Sequence, residues 1–364
     1  MKGLIYRMRS LCRVAWLGLL IGGFLLPTPG TGQTLEETLQ QLSADAVRQY
    51  VAPITSAFGA NLNGAWFHKA PEAKKMGFNL EIGLVAMGSF FPEGSSRFST
   101  EGQFIFSVSE AQQLISHITN PVIRAELLTQ LTTKPSQVII SGATITGSPN
   151  DYITIQFPGN TYPTSLGSVT LPSNEIQLPI AGFGDLAEVN MLPLVAPQVS
   201  IGTVMGSQLT FRFLPSVQLT PDLGSLKYFG FGIQHNPFVW FPKDPLPFNV
   251  AAGYYSQSLD IGTLFRTTTS AFGLNVSKQF GGRFFNLIPY AGFMLEKATM
   301  EVNYQYVVQT PTGDLTQDIS LTLEGENTNR FILGLSLRLL LFNINVDYNI
   351  GKYNSITAGL NFAL

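Results

Sequence analysis

The sequence predicts an all-β fold, a transmembrane antiparallel β-barrel of ten to fourteen strands with a short N-terminal helix. The first observation behind this is the alternation of apolar and polar residues across 329–364. In the stretch from Phe342 to Ile350, Phe342, Ile344, Val346, Tyr348 and Ile350 take the even positions, and Asn343, Asn345, Asp347 and Asn349 the odd ones. Successive strand side chains point to opposite faces, so this stretch has one greasy face and one hydrated face. The second is composition. Charged residues make up 12% of the chain, about half the roughly 25% of a typical soluble domain, and mean hydropathy is positive. The third is that, past the N-terminal leader, no run approaches the ~18 consecutive apolar residues a spanning helix needs. Only helices and closed barrels satisfy every backbone group in lipid, which leaves the barrel.

Two neighbouring segments repeat the pattern. Ile356, Ala358, Leu360, Phe362 and Leu364 share one face, and Phe331, Leu333, Leu335, Leu337 and Leu339 share another. Opposite the second set lie Gly334, Ser336 and Arg338, with Ile332 the exception. A soluble sandwich would need a partner sheet for such a face, whereas a barrel needs only the bilayer.

At the N-terminus, Lys2, Arg7, Arg9 and Arg13 precede an apolar core over residues 14–26 and a small, polar flank over residues 27–32. That order reads as a cleaved signal peptide over residues 1–32, and so as export to the bacterial outer membrane. The single cysteine, Cys12, falls inside it, so the mature chain is expected to hold no disulfide and no thiolate metal site. The net charge of -2 carries no polybasic signature, which argues against nucleic acid as a partner.

Residues 33–76 follow. Leu35, Leu39, Leu42, Ala46, Val47 and Tyr50 recur at helical spacing, and Pro53 is expected to stop the helix. The Gly- and Asn-rich stretch 58–68 then reads either as a lead-in lying against the barrel mouth or as a small plug inserted into the lumen. The barrel itself is assigned to residues 77–364. Its first strand places Phe78, Leu80, Ile82, Leu84, Ala86 and Phe90 on one face, with Val85 and Met87 as exceptions on the other.

Between about 92 and 197 the alternation fails. Helical patches at 109–117, with Ser109 and Gln112 at capping-box spacing, and at 121–131 mix with β-rich pieces and many breakers. This large insertion is either a small folded unit or a region hiding further strands. From residue 198 alternation returns, with strands expected near 198–204, 208–215, 226–235, 248–256, 268–280 and 286–298 before the three closing ones. Counting the first makes ten. If Leu364 is periplasmic, the turn at Leu340 and Leu341 is periplasmic too, and the long segment 301–328 falls outside, where long loops belong. Trp66 and Trp240 then come out on the periplasmic side, as aromatics at the membrane interface.

Several of these stretches resemble an uncharacterised family of bacterial outer-membrane barrels, the domain-of-unknown-function family 6588. The residues that carry the resemblance are the first strand with its Asn/Gly lead-in, residues 197–202, 210–215 and 229–236, and Trp240. The resemblance implies a fold and a location but no activity. A weaker likeness, in architecture only, is to the long-chain fatty-acid transporter family, which places a plug before a larger barrel. The chain ends on Leu364 rather than on the aromatic that usually marks a substrate of the barrel assembly machinery, its expected partner together with outer-membrane lipid.

The alternation assigns Asn79, Glu81, Arg212, Glu296, Arg338, Asn343, Asn345 and Asp347 to the lumen. Three acids face two bases, a balance that suits neutralising pairs better than an ion-selective field. Catalytic motifs are absent: there is no complete G-x-S-x-G, no H-E-x-x-H and no Cys/His cluster, and His68, His117 and His235 are scattered. The chain is therefore expected to be no enzyme and to need no metal or cofactor; His235 with a nearby serine, as in a membrane-embedded lipid enzyme, is the one weak exception. The function expected is porin-like, passive passage or uptake of a small solute, with a hydrophobic one as candidate, through the lumen or a lateral opening. The alternative is a sealed barrel whose large outer segment meets a partner.

Overall fold

The computed structural model describes residues 35–182, 190–220, 224–241, 246–263, 265–282, 284–310 and 313–364. The expected signal peptide lies outside them. The chain divides into two compact units, one of residues up to Val51 with Gly94–Glu188 and one of Ala52–Glu93 with Val189–Leu364.

The first helix, α1 (Leu35–Leu62), contains Pro53 instead of ending there. An internal proline costs a helix about 3 kcal/mol. The residues beyond it repay that cost through burial: Thr55, Ser56, Ala57, Ala60 and Leu62 are fully buried. Residues of α1 up to Val51 belong to the first unit and those from Ala52 to the second.

Strand β1 (Asn79–Phe90) opens the barrel and is followed by the inserted part of the first unit. There β2 (Arg97–Phe104), α2 (Val108–Leu114), α3 (Pro121–Thr133), β3 (Ser136–Ala143), β4 (Tyr152–Phe157), β5 (Asn160–Thr164), β6 (Gly167–Leu171) and β7 (Asn174–Ala181) follow in order. The strands form a β2-β3-β4-β7 sheet and a separate β5-β6 hairpin. Helix α2 begins one residue before the expected start, with its cap two residues earlier. Its capping box is Ser107 with Glu110, whose carboxylate accepts from the Ser107 N–H at 2.8 Å, rather than Ser109 with Gln112. Ala111, Ile115, Leu127, Leu131, Tyr162 and Leu171 form this unit's core. The early part of α1 joins it through Tyr50, whose hydroxyl donates to Ala181 O at 3.0 Å.

The second unit continues with β8 (Met191–Val204), β9 (Ser207–Thr220), β10 (Gly224–His235), β11 (Asn249–Ile261), β12 (Phe265–Ser277), β13 (Phe280–Gly281), β14 (Phe285–Thr310), β15 (Gly313–Glu324), β16 (Asn329–Leu339), β17 (Phe342–Ile350) and β18 (Ser355–Ala363). Its sheet holds twelve strands, and β12–β14 pairing closes ten of them into an antiparallel barrel, with β13 and β15 as additions on β14. The barrel resumes at Met191, before the expected 198; Pro193 and Pro197 mask that strand in the sequence, while β1 still pairs through both.

Two ends can be told apart. At the turn end, Val204 and Ser207 flank a two-residue turn whose Met205 and Gly206 both have positive φ, the pattern of tight hairpins. The Leu340–Leu341 turn and Ala363 lie at this end as well. At the loop end, Phe90 pairs with Met191 and Ser89 with Ser355. Outward-facing residues such as Leu84, Phe213, Phe272, Leu333 and Leu360 are each more than half exposed, forming the apolar belt that a barrel presents to lipid.

Candidate functional site

The barrel interior is occupied by residues 52–71 of the same chain. This segment runs from the loop end to the turn end, and the inward-facing side chains hold it at three levels.

Nearest the loop end, Arg330 is the main anchor. It forms a two-pronged pair with Glu296, Nε to Oε2 at 3.0 Å and Nη2 to Oε1 at 3.1 Å. The same Nη2 donates to the Ala60 carbonyl of α1 at 2.8 Å. Both side chains are essentially without solvent exposure. Glu326 N donates to Ser56 Oγ at 3.1 Å, and Asn61 is fixed on both sides, donating to Leu192 O and accepting from Ser89 Oγ, each at 2.7 Å.

In the middle, α1 ends at Leu62, and the carbonyl end of a helix attracts cations. Arg212 supplies one. Its Nη2 donates to Gly64 O at 2.9 Å and its Nη1 to Leu62 O at 3.4 Å, while Nε donates to Gln198 at 2.9 Å. The guanidinium also lies 4.0 Å from the centre of the Trp66 ring. Among the described residues, this buried charge is met by carbonyls and an aromatic face, not by a carboxylate. Trp66 stacks on Tyr255 at 5.1 Å. Behind it the wall carries Gly230 and Gly232, where an added Cβ would come within 3.2 and 3.1 Å of the indole. The glycine pair makes room for the ring.

Towards the turn end, Glu81 is buried, with Lys69 Nζ donating to it and Asn79 Nδ2 donating at 3.0 Å. His68 Nε2 lies 3.0 Å from the other carboxylate oxygen without hydrogen-bond alignment. Ala70 N donates to Ser277 Oγ at 2.9 Å, and Asn236 donates to Pro71 O at 2.8 Å. The exit is tied by Gly206 N to Lys74 O at 3.0 Å.

The expected lumen residues are thus distributed over several clusters. Glu81 meets the inner segment directly, as does Arg212, whereas Glu296 acts through Arg330. Asp347 accepts from Tyr290 at 2.8 Å and from Asn349 at 2.6 Å. Asn343 accepts from Ser336 at 2.8 Å, and Asn345 accepts from Asn361 at 3.4 Å. Arg338 stands apart, half-buried at the turn end, with Nε donating to Leu340 O at 3.2 Å. The reading of Trp66 as an interface aromatic is corrected: it is 2% exposed inside the barrel because residues 63–71 pass through the interior. Trp240 is 61% exposed at the turn end. Arg330 was missed, although it shares the inward parity of Gly334, Ser336 and Arg338. The sequence exceptions Val85, Met87 and Ile332 also gain a reason, since each packs inward around Leu62 and Ala65 or around Trp66 and Phe67.

His235 has a serine within reach, Ser207 Oγ at 2.9 Å from Nδ1. Trp240 Nε1 donates to His235 Nε2 at 3.2 Å. An indole nitrogen can only donate, so Nε2 is the acceptor and Nδ1 carries the proton. In that tautomer the imidazole donates to Ser207 and has no site to take its proton.

One stretch of wall differs from the rest. The β8–β9 ladder runs only from Gln198↔Arg212 to Val204↔Ser207. Closer to the loop end, β8 keeps its pairing with β1, and β9 keeps its pairing with β10. A proline fits a strand where its nitrogen faces away from a partner, so Pro193 and Pro197, in register with β1, turn their nitrogens to the β9 side. Pro215 of β9 lies along the same seam. Inside it sits an apolar cluster of Leu62, Val85, Met87, Ala196, Tyr228 and Leu259, with Phe58, Leu194 and Leu214 packed on it.

The closed antiparallel barrel with its outward apolar belt defines the class, an outer-membrane β-barrel. The chain belongs to a family of unknown function, DUF6588, whose model matches residues 8–364. No curated protein sequence matches it. Solved structures similar to it include a loop-deleted form of OmpT, an outer membrane protein of Vibrio cholerae (11% identity, 79% of this chain and 98% of that one, TM-score 0.22). Ail, the attachment invasion locus protein of Yersinia pestis, is similar over 43% of this chain and 93% of its own, at 10% identity and TM-score 0.20. The outer membrane protease OmpT of Escherichia coli matches at 11% identity over 80% of this chain and all of its own, TM-score 0.25. These likenesses concern the fold alone. The expectation that the chain is no enzyme is corrected, because an outer-membrane barrel fold by itself excludes no catalysis.

Proposed function

We propose that this outer-membrane barrel takes up a small hydrophobic solute, which enters from the side, between β8 and β9, rather than straight down the lumen. The observation that carries the reading is the missing ladder beyond Gln198 and Arg212, lined within by the apolar cluster around Leu62 and Ala196. An unpaired seam in lipid leaves strand edges unsatisfied, and prolines on both edges lower that cost by removing donors. The end-to-end route is filled by residues 52–71, so polar solutes and ions have no comparable path. The loop end faces outward in this reading, as the long connections require, and outer-membrane lipid surrounds the belt.

The test is entry of the fluorescent probe N-phenylnaphthylamine into cells producing the protein. Expected is faster dye entry than in cells without it, returning to the control rate for Ala196→Trp or Leu194→Trp, with each variant still showing folded, heat-modifiable gel migration. Dye entry equal to the control for the unaltered protein, or unchanged in both folded variants, would overturn the reading.

A second reading, a sealed barrel that displays its inserted unit to a partner, is favoured by the separate core of that unit around Ile115, Leu127 and Leu131. It predicts no effect on dye entry and partner binding that is lost on deleting residues 94–188.

A further inference from the structure

The order of contacts along residues 52–75 gives the chain a direction through the barrel. Ser56 meets Glu326 and Asn61 meets Leu192 at the loop end. Gly64 meets Arg212 in the middle, and Pro71 and Lys74 meet Asn236 and Gly206 at the turn end. Strand β1 then climbs back from Asn79, paired with Gly202, to Phe90, paired with Met191.

We infer that the protein is a threaded barrel, in which residues 35–51 leave by the loop end and are displayed on the outer face of the membrane. An N-terminal segment entering from the periplasm would instead meet the turn-end residues first, reversing this order. Three features fix the thread. Arg330, paired with Glu296, holds the Ala60 carbonyl, Arg212 holds the helix end at Leu62 and Gly64, and Trp66 fills the gap over Gly230 and Gly232. The rings of Trp66 and Phe67 are buried inside the ten-stranded wall, so the wall forms around the segment during assembly, and residues 35–51 reach the outer face before the last strands pair.

This inference does not depend on the solute. It gives residues 35–51 a role as a surface-displayed element, open to partners outside the cell together with the other loop-end connections. The chain's only cysteine is Cys12, so a Cys12→Ser background allows single-cysteine labelling. In that background, Asp45→Cys and Lys74→Cys are compared, both at exposed side chains. With a membrane-impermeant maleimide on cells, Asp45→Cys is expected to label equally in intact and permeabilised cells. Lys74→Cys is expected to label only after permeabilisation. Heat-modifiable migration shows that each variant is folded. Labelling of Asp45→Cys only after permeabilisation would overturn the threading, and labelling of Lys74→Cys in intact cells would overturn the sidedness on which display depends.

Discussion

The two sides of the barrel wall are built from the same alternation, yet they hold the inner segment by different physics. On the β14–β17 side, Arg330 grips the Ala60 carbonyl and is itself held by Glu296 and Asn349, which accept from its guanidinium in charge-assisted hydrogen bonds. On the side of β1 and β8–β11, Val85, Ala196, Tyr228 and Leu259 surround Leu62 with apolar contact. The polar grip is directional and collapses when one partner is lost. The apolar contact is non-directional and tolerates local rearrangement, which is where the wall also lacks its ladder. The difference separates a fixed side that sets the thread from an adaptable side, the one through which the proposed solute would enter.

The largest effect should come from breaking the polar grip. Arg330→Ala leaves Glu296 buried without its cation, at a cost of about 3–5 kcal/mol. It should lower the urea midpoint of unfolding in detergent far more than the paired replacement Arg330→Met with Glu296→Leu. Equal losses in the two variants would remove the charge pair as the cause. A smaller effect is expected at the glycine cradle. Gly232→Val pushes a side chain against Trp66 and Tyr255, and overpacking of this kind costs about 1–3 kcal/mol. A fall in the same midpoint, relieved in the Gly232→Val, Trp66→Leu double variant, would show that the indole and the glycine share one space; no relief would separate them.

Much of the barrel was legible because lipid enforces a simple rule. Outward positions in the closing strands are apolar, so Phe342 to Ile350 and Ile356 to Phe362 announce their faces without help from the rest of the chain. The interior obeys no such single rule, since it is shaped by what fills it. Val85, Met87 and Ile332 looked like errors in the pattern and are contacts to the inner segment. Arg330 had the right parity to be found, but nothing local marked it as more important than Arg338, which ends up at the rim. The thread itself was hidden by Pro53, whose helix-breaking tendency is outweighed only by burial that no short window of sequence contains. The seam was hidden by the same residue type, because Pro193 and Pro197 argue against a strand unless one of its edges lacks a partner.

The central claim is that residues 52–71 fill the lumen in the native state. Conductance of the folded protein in planar bilayers tests it most directly, with insertion verified by protease protection of the barrel. The account predicts no steady conductance for the unaltered protein and intermittent opening for Arg330→Ala. Steady, ohmic channels at every insertion of the unaltered protein would contradict it.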